Sequence, residues 1–183
     1  SFAPNLVPGD THNCSGPGFP PTSCRDVFVR DRQTGQTTRV SVATGGTQTN
    51  EDSSNPSISG DGRYVAFHSD ATNLVAGDTN GRPDIFVHDR QTGQTTRVSV
   101  ATGGLQALGG TGQTGFPIIS SDGRYVAFWS TSTNLVGGDT DNSPDVFVHD
   151  RQTGHTTRVS IASGGGQANG ASGLGSSISA DAR

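Results

Sequence analysis

The 183-residue sequence contains no lysine, no methionine, one tryptophan, two tyrosines and two cysteines. Hydrophobic residues make up only 29% of it. None gather in a run near the ~20 residues that a membrane-spanning helix needs. All twelve basic residues are arginines scattered along the chain, so the basic stripe of a nucleic-acid surface is missing. The net charge of −4 is mild. No secretion signal is visible from Ser1 onward, and Ser1 need not be the native start. No Gly-x-Ser-x-Gly elbow, phosphate loop, His-Glu-x-x-His or paired His/Cys constellation occurs, so no enzyme is expected.

What is present is glycine, threonine and short β-branched or aromatic runs such as "YVAF" and "DIFV". That clustering reads as many short strands joined by turns rather than as disorder. The runs recur. Asp26, Asp84 and Asp145 open matching segments 58 and 61 residues apart, and "GDGRYVAF" at Gly60 returns as "SDGRYVAF" at Ser121. One unit reads from Asn55 as strand "NPSIS", turn "GDGR", strand "YVAFHS", long loop "DATNLVAGDTNGRP", strand "DIFVHD", turn "RQTGQ" and strand "TTRVSVAT". Asp61 and Gly62 suit the first turn and Gly93 the second. Val65 and Phe67 lie on one face of their strand, Tyr64 and Ala66 on the other. Apolar residues on both faces require a neighbour on both. Four antiparallel strands per repeat then predict an all-β propeller built of four-stranded blades, about three of them. The approximate units are 1–54 (a partial blade), 55–115, 116–175 and 176–183 (the start of another). Three blades are too few for a ring of ~4–8, so other chains or further blades are expected to complete it. Ala182 stands where Gly62 and Gly123 stand.

The repeat "NPSISGDGRYVAFHS…DIFVHDRQTGQTTRVS" resembles the TolB-type β-propeller repeat over nearly the whole chain. The resemblance implies a propeller and no reaction. The long Asn-Leu-Val-x-Gly-Asp loop and the Gly-rich links depart from the family pattern and resemble repeats of secreted bacterial proteins.

The acidic loops are the candidate site. In "DTNGRPD", Asp78, Asn80 and Asp84 are spaced i, i+2, i+6, and Asp139, Asp141 and Asp145 repeat that spacing in "DTDNSPD". Ca²⁺ takes ~6–8 oxygen ligands, commonly from alternate loop positions, and the carbonyls of Arg82 and Ser143 can add one each. The first copy keeps Asp10 and Asp26 but separates them by the cysteine loop, with Asn13 as a stand-in for Asn80. The distal bidentate Glu of a full calcium loop is absent. The competing reading is that these residues shape a turn, with Asp84 and Asp145 bonding backbone N–H groups at the strand entry.

Asp31, Asp89 and Asp150 read as turn carboxylates or partners of the arginine in "TTR", and Arg63, Arg124 and Arg183 as surface or inter-blade ion-pair formers. His88, His149, His68, His12 and His155 read as packing, strand or turn residues, while Trp129 with Phe2 reads as core or as a sugar-binding face. Cys14 and Cys24 flank a Gly/Pro-rich loop and read as a disulfide or as two free thiols, the former implying an oxidising compartment.

The functional expectation is a non-catalytic extracellular, periplasmic or cell-surface module with a protein or glycan partner. Alternatives are the propeller part of a secreted hydrolase acting on peptides or glycans, and a TolB-like envelope interaction module.

Overall fold

The computed structural model describes residues 1, 5–11, 13, 14, 22–109, 113–173 and 177–179, with the backbone alone at 13, 14, 22 and 23. Its strands are β1 Asn13–Cys14, β2 Thr22–Ser23, β3 Phe28–Arg30, β4 Thr37–Arg39, β5 Ser53–Ile58, β6 Tyr64–Ser69, β7 Asp84–Asp89, β8 Gln94–Arg97, β9 Thr114–Ile119, β10 Tyr125–Ser130, β11 Asp145–Asp150 and β12 His155–Arg158. The order β5-β6-β7-β8 forms one antiparallel meander and β9-β10-β11-β12 another. β3 and β4 pair alone as the two outer strands of a partial first blade. β1 and β2 make a small hairpin in the cysteine loop. No helix among the described residues is long and apolar enough to cross a membrane.

The blades stack face to face, and their inner strands approach most closely. β9 packs against β5, β6 and β7. The Gly60 N–H donates to the Ser121 carbonyl at 2.9 Å. This is propeller geometry, and the ring is not closed among the described residues. One core, between the first and middle blades, holds Val27 and Val40 against Val65, Phe67, Leu74 and Phe86. The second, between the middle and last blades, holds Ala66, Ile85, Val87 and Val98 against Ile119, Phe128, Leu135 and Phe147. The alternation within "YVAF" therefore serves both neighbours. β7 (DIFVHD) is buried along its whole length, whereas the matching β11 (DVFVHD) alternates buried and half-buried because its second face meets no blade among the described residues.

Two local features shape each blade. The inner strands bulge at Asn55-Pro56 and Phe116-Pro117, where Asn55 and Phe116 take φ of 51° and 48° and the register shifts. A proline is tolerated at such a bulge because no ladder donor is needed there. The outer strand is shorter than the sequence reading of "TTRVSVAT". β8 ends at Arg97, because the Ile85 N–H turns to the Ser99 hydroxyl at 3.0 Å and removes the next ladder bond. The chain then folds back, with Val100 pairing to Gln106.

That fold-back grips the next blade. The Thr95 hydroxyl donates to the Val42 carbonyl at 2.5 Å, and the Thr95 N–H donates to the Thr44 hydroxyl at 3.0 Å. Thr156 repeats both bonds with Val100 and Thr102 at 2.5 and 3.0 Å. In return, the "TNLV" loop of each following blade inserts into the fold-back. The Asn73 amide accepts from the Asn50 N–H at 3.0 Å and donates to the Gln48 carbonyl at 2.8 Å. Asn134 does the same with Leu108 and Gln106 at 2.7 and 2.9 Å. Leu74 and Leu135 are buried beneath these bonds.

At the turn of the last blade, Gly123 has a φ of 74° and a Cβ there would collide with the Tyr64 ring. Tyr64 also carries the Arg63 and Arg151 guanidinium carbons 4.7 and 4.3 Å from its ring centre. Gly93 has a similar φ of 72° with open space around it. Gly93→Ala is expected to lose about 1 kcal/mol from backbone conformation alone. Gly123→Ala adds overpacking against Tyr64 and is expected to lose about 2–4 kcal/mol. Urea unfolding of the two variants measures the difference. Ala182, the corresponding residue of the next turn, lies outside the described residues.

Candidate functional site

The two complete acidic loops run from the end of the blade's second strand, β6 or β10, to the start of its third, β7 or β11, so they lie on a blade rim. The first residue of the third strand, Asp84, is fully buried. It is not held by backbone amides, in contrast to the turn reading. Its Oδ1 accepts from the Ser99 hydroxyl, and its Oδ2 accepts from Arg97 Nη1 and Asn80 Nδ2, both at 3.1 Å. Cross-strand pairing of Phe86 with Arg97 sets the arginine beneath the loop. There it also lies 3.1 Å from Asp78 Oδ1.

The same cluster recurs in every blade. Arg39 bridges Asp10 and Asp26 at 2.9 and 3.1 Å, and Ser41 donates to Asp26 at 2.6 Å. Arg158 lies 3.6 and 3.3 Å from Asp139 and Asp145, and Ser160 donates to Asp145 at 2.5 Å. The arginine contacts thus lengthen in the last blade. A glutamine joins each cluster from the fold-back. Arg39 donates to Gln48 Oε1 at 3.2 Å, Gln106 Nε2 donates to the Thr79 hydroxyl at 2.7 Å, and Gln167 Nε2 donates to Asp139 Oδ1 at 3.3 Å.

The charges do not balance. The first and middle clusters set two carboxylates against one guanidinium, and the last sets three, Asp139, Asp141 and Asp145, against Arg158. Carboxylate oxygens of those three lie within 4.8 Å of one another, a spacing that can hold a metal ion. In the middle blade Asn80 replaces the third acid and turns its amide donor toward Asp84. Its Oδ1 accepts from the Arg82 N–H at 3.1 Å, as Asp141 Oδ1 accepts from the Ser143 N–H at 2.9 Å. Both oxygens of Asp78 are buried, and its ion pair with Arg97 is not aligned as a hydrogen bond. Burial, and then the Asp84 charge, push Asp78 above the usual carboxylate range. Burial and Asp145 do the same to Asp139. The Asn13 side chain lies outside the described residues, so the first copy is described through Asp10 and Asp26 alone.

The remaining candidates are structural. Asp89 accepts from the Gln91 N–H in the turn at 2.9 Å and makes a two-pronged ion pair with Arg63 at 2.9 and 2.7 Å, not with the arginine of "TTR". Asp150 repeats this with Arg124. The pairs lie within a blade, because the first turn and the third strand's end are adjacent across β6 and β7. Hydrogen bonds from Arg63 and Arg124 hold Asp89 and Asp150 well below the usual carboxylate range. His88 and His149 are buried, each with Nδ1 2.9 Å from a threonine hydroxyl, and burial lowers their pKa. Trp129 is half-buried, with its ring centre 6.4 Å from that of Phe116. Phe2, His12 and Arg183 lie outside the described residues. Cys24 is buried and disulfide-bonded, and the Cys14 side chain lies outside the described residues.

Sequence reasoning missed Arg39, Arg97, Arg158, the three serines and the three glutamines. Their recurrence at one offset from the acidic loop was the available signal.

No protein-family model matches the sequence, and no curated protein matches it. The structure is similar to that of TolB from Acinetobacter baumannii, with a TM-score of 0.47 and 23% identity over 86% of this chain and 30% of that one. It is also similar to the β-propeller domain of the Trilobed protease from Pyrococcus furiosus, with a TM-score of 0.45 and 14% identity over 72% of this chain and 33% of that one. The chain spans about a third of the length of either protein.

The two kinds of aspartate titrate in opposite senses. Ionised Asp78 costs stability above its raised titration, and the cost is relieved as pH falls through it. Asp89 contributes stability above the unfolded value, lost as pH falls through its lowered one. Asp78→Asn is therefore expected to be more stable than wild type at neutral pH, and Asp89→Asn less stable. Both differences should shrink on acidification, that of Asp78→Asn first. Urea unfolding across the acidic range checks the order. The Asp89 effect is expected to be the smaller in salt, because Arg63 is partly exposed.

Proposed function

We propose that the chain is a non-catalytic, extracytoplasmic propeller module that acts by binding a protein or glycan surface, with rim loops that take Ca²⁺ where acid is in excess. The observation that carries this reading is the repetition of one buried Asp–Arg–Ser cluster in all three blades. A catalytic centre needs one unlike site, and three like sites suit a scaffold. The disulfide at Cys24 supports an oxidising compartment.

The loop fit differs between blades. Asp139, Asp141 and Asp145 supply hard oxygen ligands of the type Ca²⁺ prefers, and Arg158 lies farther from them than its counterparts do. In the middle loop the Asn80 amide donor and the closer Arg97 already occupy the space between the acids. One ion, in the last blade, is therefore the reading the donor sets support.

A ligand bound only by the folded state stabilises it by about 2.7 kcal/mol at a hundredfold excess over Kd. Calcium is expected to raise the melting temperature of the chain, and a chelator to reverse the rise. Asp141→Asn should abolish most of the response, while Asp78→Asn should leave it in place. An unchanged melting curve in wild-type protein, together with no bound metal by elemental analysis, would reject the ion.

A further inference from the structure

Asparagine is among the thermally labile residues of proteins. It is most labile before glycine, whose missing side chain leaves the next backbone nitrogen open to attack the amide carbon. The sequence has two such pairs, Asn80-Gly81 and Asn169-Gly170. Asn169 is exposed in the fold-back of the last blade. Asn80 is half-buried in the middle acidic loop, and Gly81 is exposed beside it.

The loop arranges the reacting groups around Asn80. A Cβ on Gly81 would meet nothing within 4 Å, so the approach is open. The Gly81 N–H donates to no group among the described residues, whereas the Arg82 N–H donates to Asn80 Oδ1 at 3.1 Å. Attack on Asn80 Cγ turns that oxygen into an oxyanion, and the Arg82 donor is already aimed at it. On the other side, Asn80 Nδ2 donates to Asp84 Oδ2 at 3.1 Å and to the Ala107 carbonyl at 3.2 Å. As that nitrogen takes up a proton to leave, the Asp84 carboxylate supplies the counter-charge. Holding the amide at both polar ends beside its attacking nitrogen saves the entropy of bringing them together.

We propose that Asn80-Gly81 is a self-modification site, at which the Gly81 nitrogen closes on Asn80 Cγ and the amide becomes a carboxylate. The N–Cγ bond forms, the Cγ–Nδ2 bond breaks, and the proton lost by the Gly81 nitrogen goes through solvent to the nitrogen that leaves as ammonia. Water then adds to either carbonyl of the succinimide ring and opens it to aspartate or isoaspartate.

The product alters a buried site. The Asn80 bond to Ala107 joins the acidic loop to the fold-back that holds Asn134, and it is lost. The bond to Asp84 is replaced by two like charges. The side chains of Asp78 and Asp84 beside it are 1% and 0% exposed and already share Arg97. An added carboxylate there has no donor waiting for it. The middle loop then carries the acids of the last, where Asp141 stands in place of Asn80 and the Arg158 contacts are longer. The junction of the middle and last blades is therefore expected to loosen as the protein ages. The inference rests on neither the calcium reading nor the binding role.

The test is to hold the folded chain at mildly alkaline pH, which favours loss of the Gly81 amide proton, and to follow it by peptide mapping with mass spectrometry. The mass gain of an amide-to-acid conversion is expected at Asn80, with ammonia released. Asn169 serves as the internal control that the conditions permit conversion. Gly81→Ala is expected to slow conversion at Asn80 severalfold and to leave Asn169 unchanged. Asn80→Asp, one of the two products, is expected to melt about 4 °C or more below wild type in the presence of a chelator. Conversion at Asn169 with Asn80 intact overturns the proposal, as does a chain in which neither converts. An Asn80→Asp chain that melts with wild type overturns the loosening of the junction. A missing calcium response leaves all of these results unaltered, so the two readings fail separately.

Discussion

A four-stranded blade that is apolar on both faces is unstable in water until both faces are covered. Nearly everything described above answers that constraint. The middle blade meets it: β7 is buried from Asp84 to Asp89, and its neighbours supply Val27 and Val40 on one side and Ile119, Phe128 and Leu135 on the other. A short strand has little area to bury, so the contact is reinforced at two further points. Threonine hydroxyls clasp the preceding fold-back near the outer edge, and an Asn-Leu loop plugs it. These polar bonds also fix the register, because a buried amide that lost its carbonyl would go unsatisfied.

The rim clusters serve the same scheme. The third strand begins with a buried aspartate, and a buried charge needs partners. The arginine that ends the fourth strand and the serine two residues beyond it supply them. In doing so the serine takes the amide bond that would have continued the sheet, which frees the chain to fold back toward the next blade. The charge cluster and the blade junction are thus two consequences of one short segment, "TTRVS". The remaining excess of acid comes from the loop's first aspartate, which burial and its neighbour hold above the usual carboxylate range.

Much of this was legible before the structure. The alternation Tyr64, Ala66 against Val65, Phe67 gave the two covered faces, because side chains in a strand alternate by necessity. Asp61-Gly62 and Gly93 marked the turns through their backbone preferences. The acidic loops stood out by spacing. What could not be read was partnership across the sheet. Arg97 stood simply as a residue of the strand "TTRVSVAT", and only the register of β7 with β8 brings it under Asp78 and Asp84. The same holds for Asp89, whose partner Arg63 follows a turn 26 residues earlier. Asn73 and Leu74 looked like loop residues, because their role exists only between blades. The bend after Arg97 was missed since "RVSVAT" keeps a strand's alternation after its hydrogen bonds have gone elsewhere.

The Asn-Leu plug has a consequence for how such a chain can change in length. Plug and socket lie in different blades, yet each blade carries one of both, in the same chemistry. Excising a whole unit from the middle of the array, or copying one in, leaves every surviving socket facing a plug it already fits. Blade number is then free to drift by recombination between near-identical repeats without any residue having to adapt, whereas an insertion of part of a unit would strand a socket.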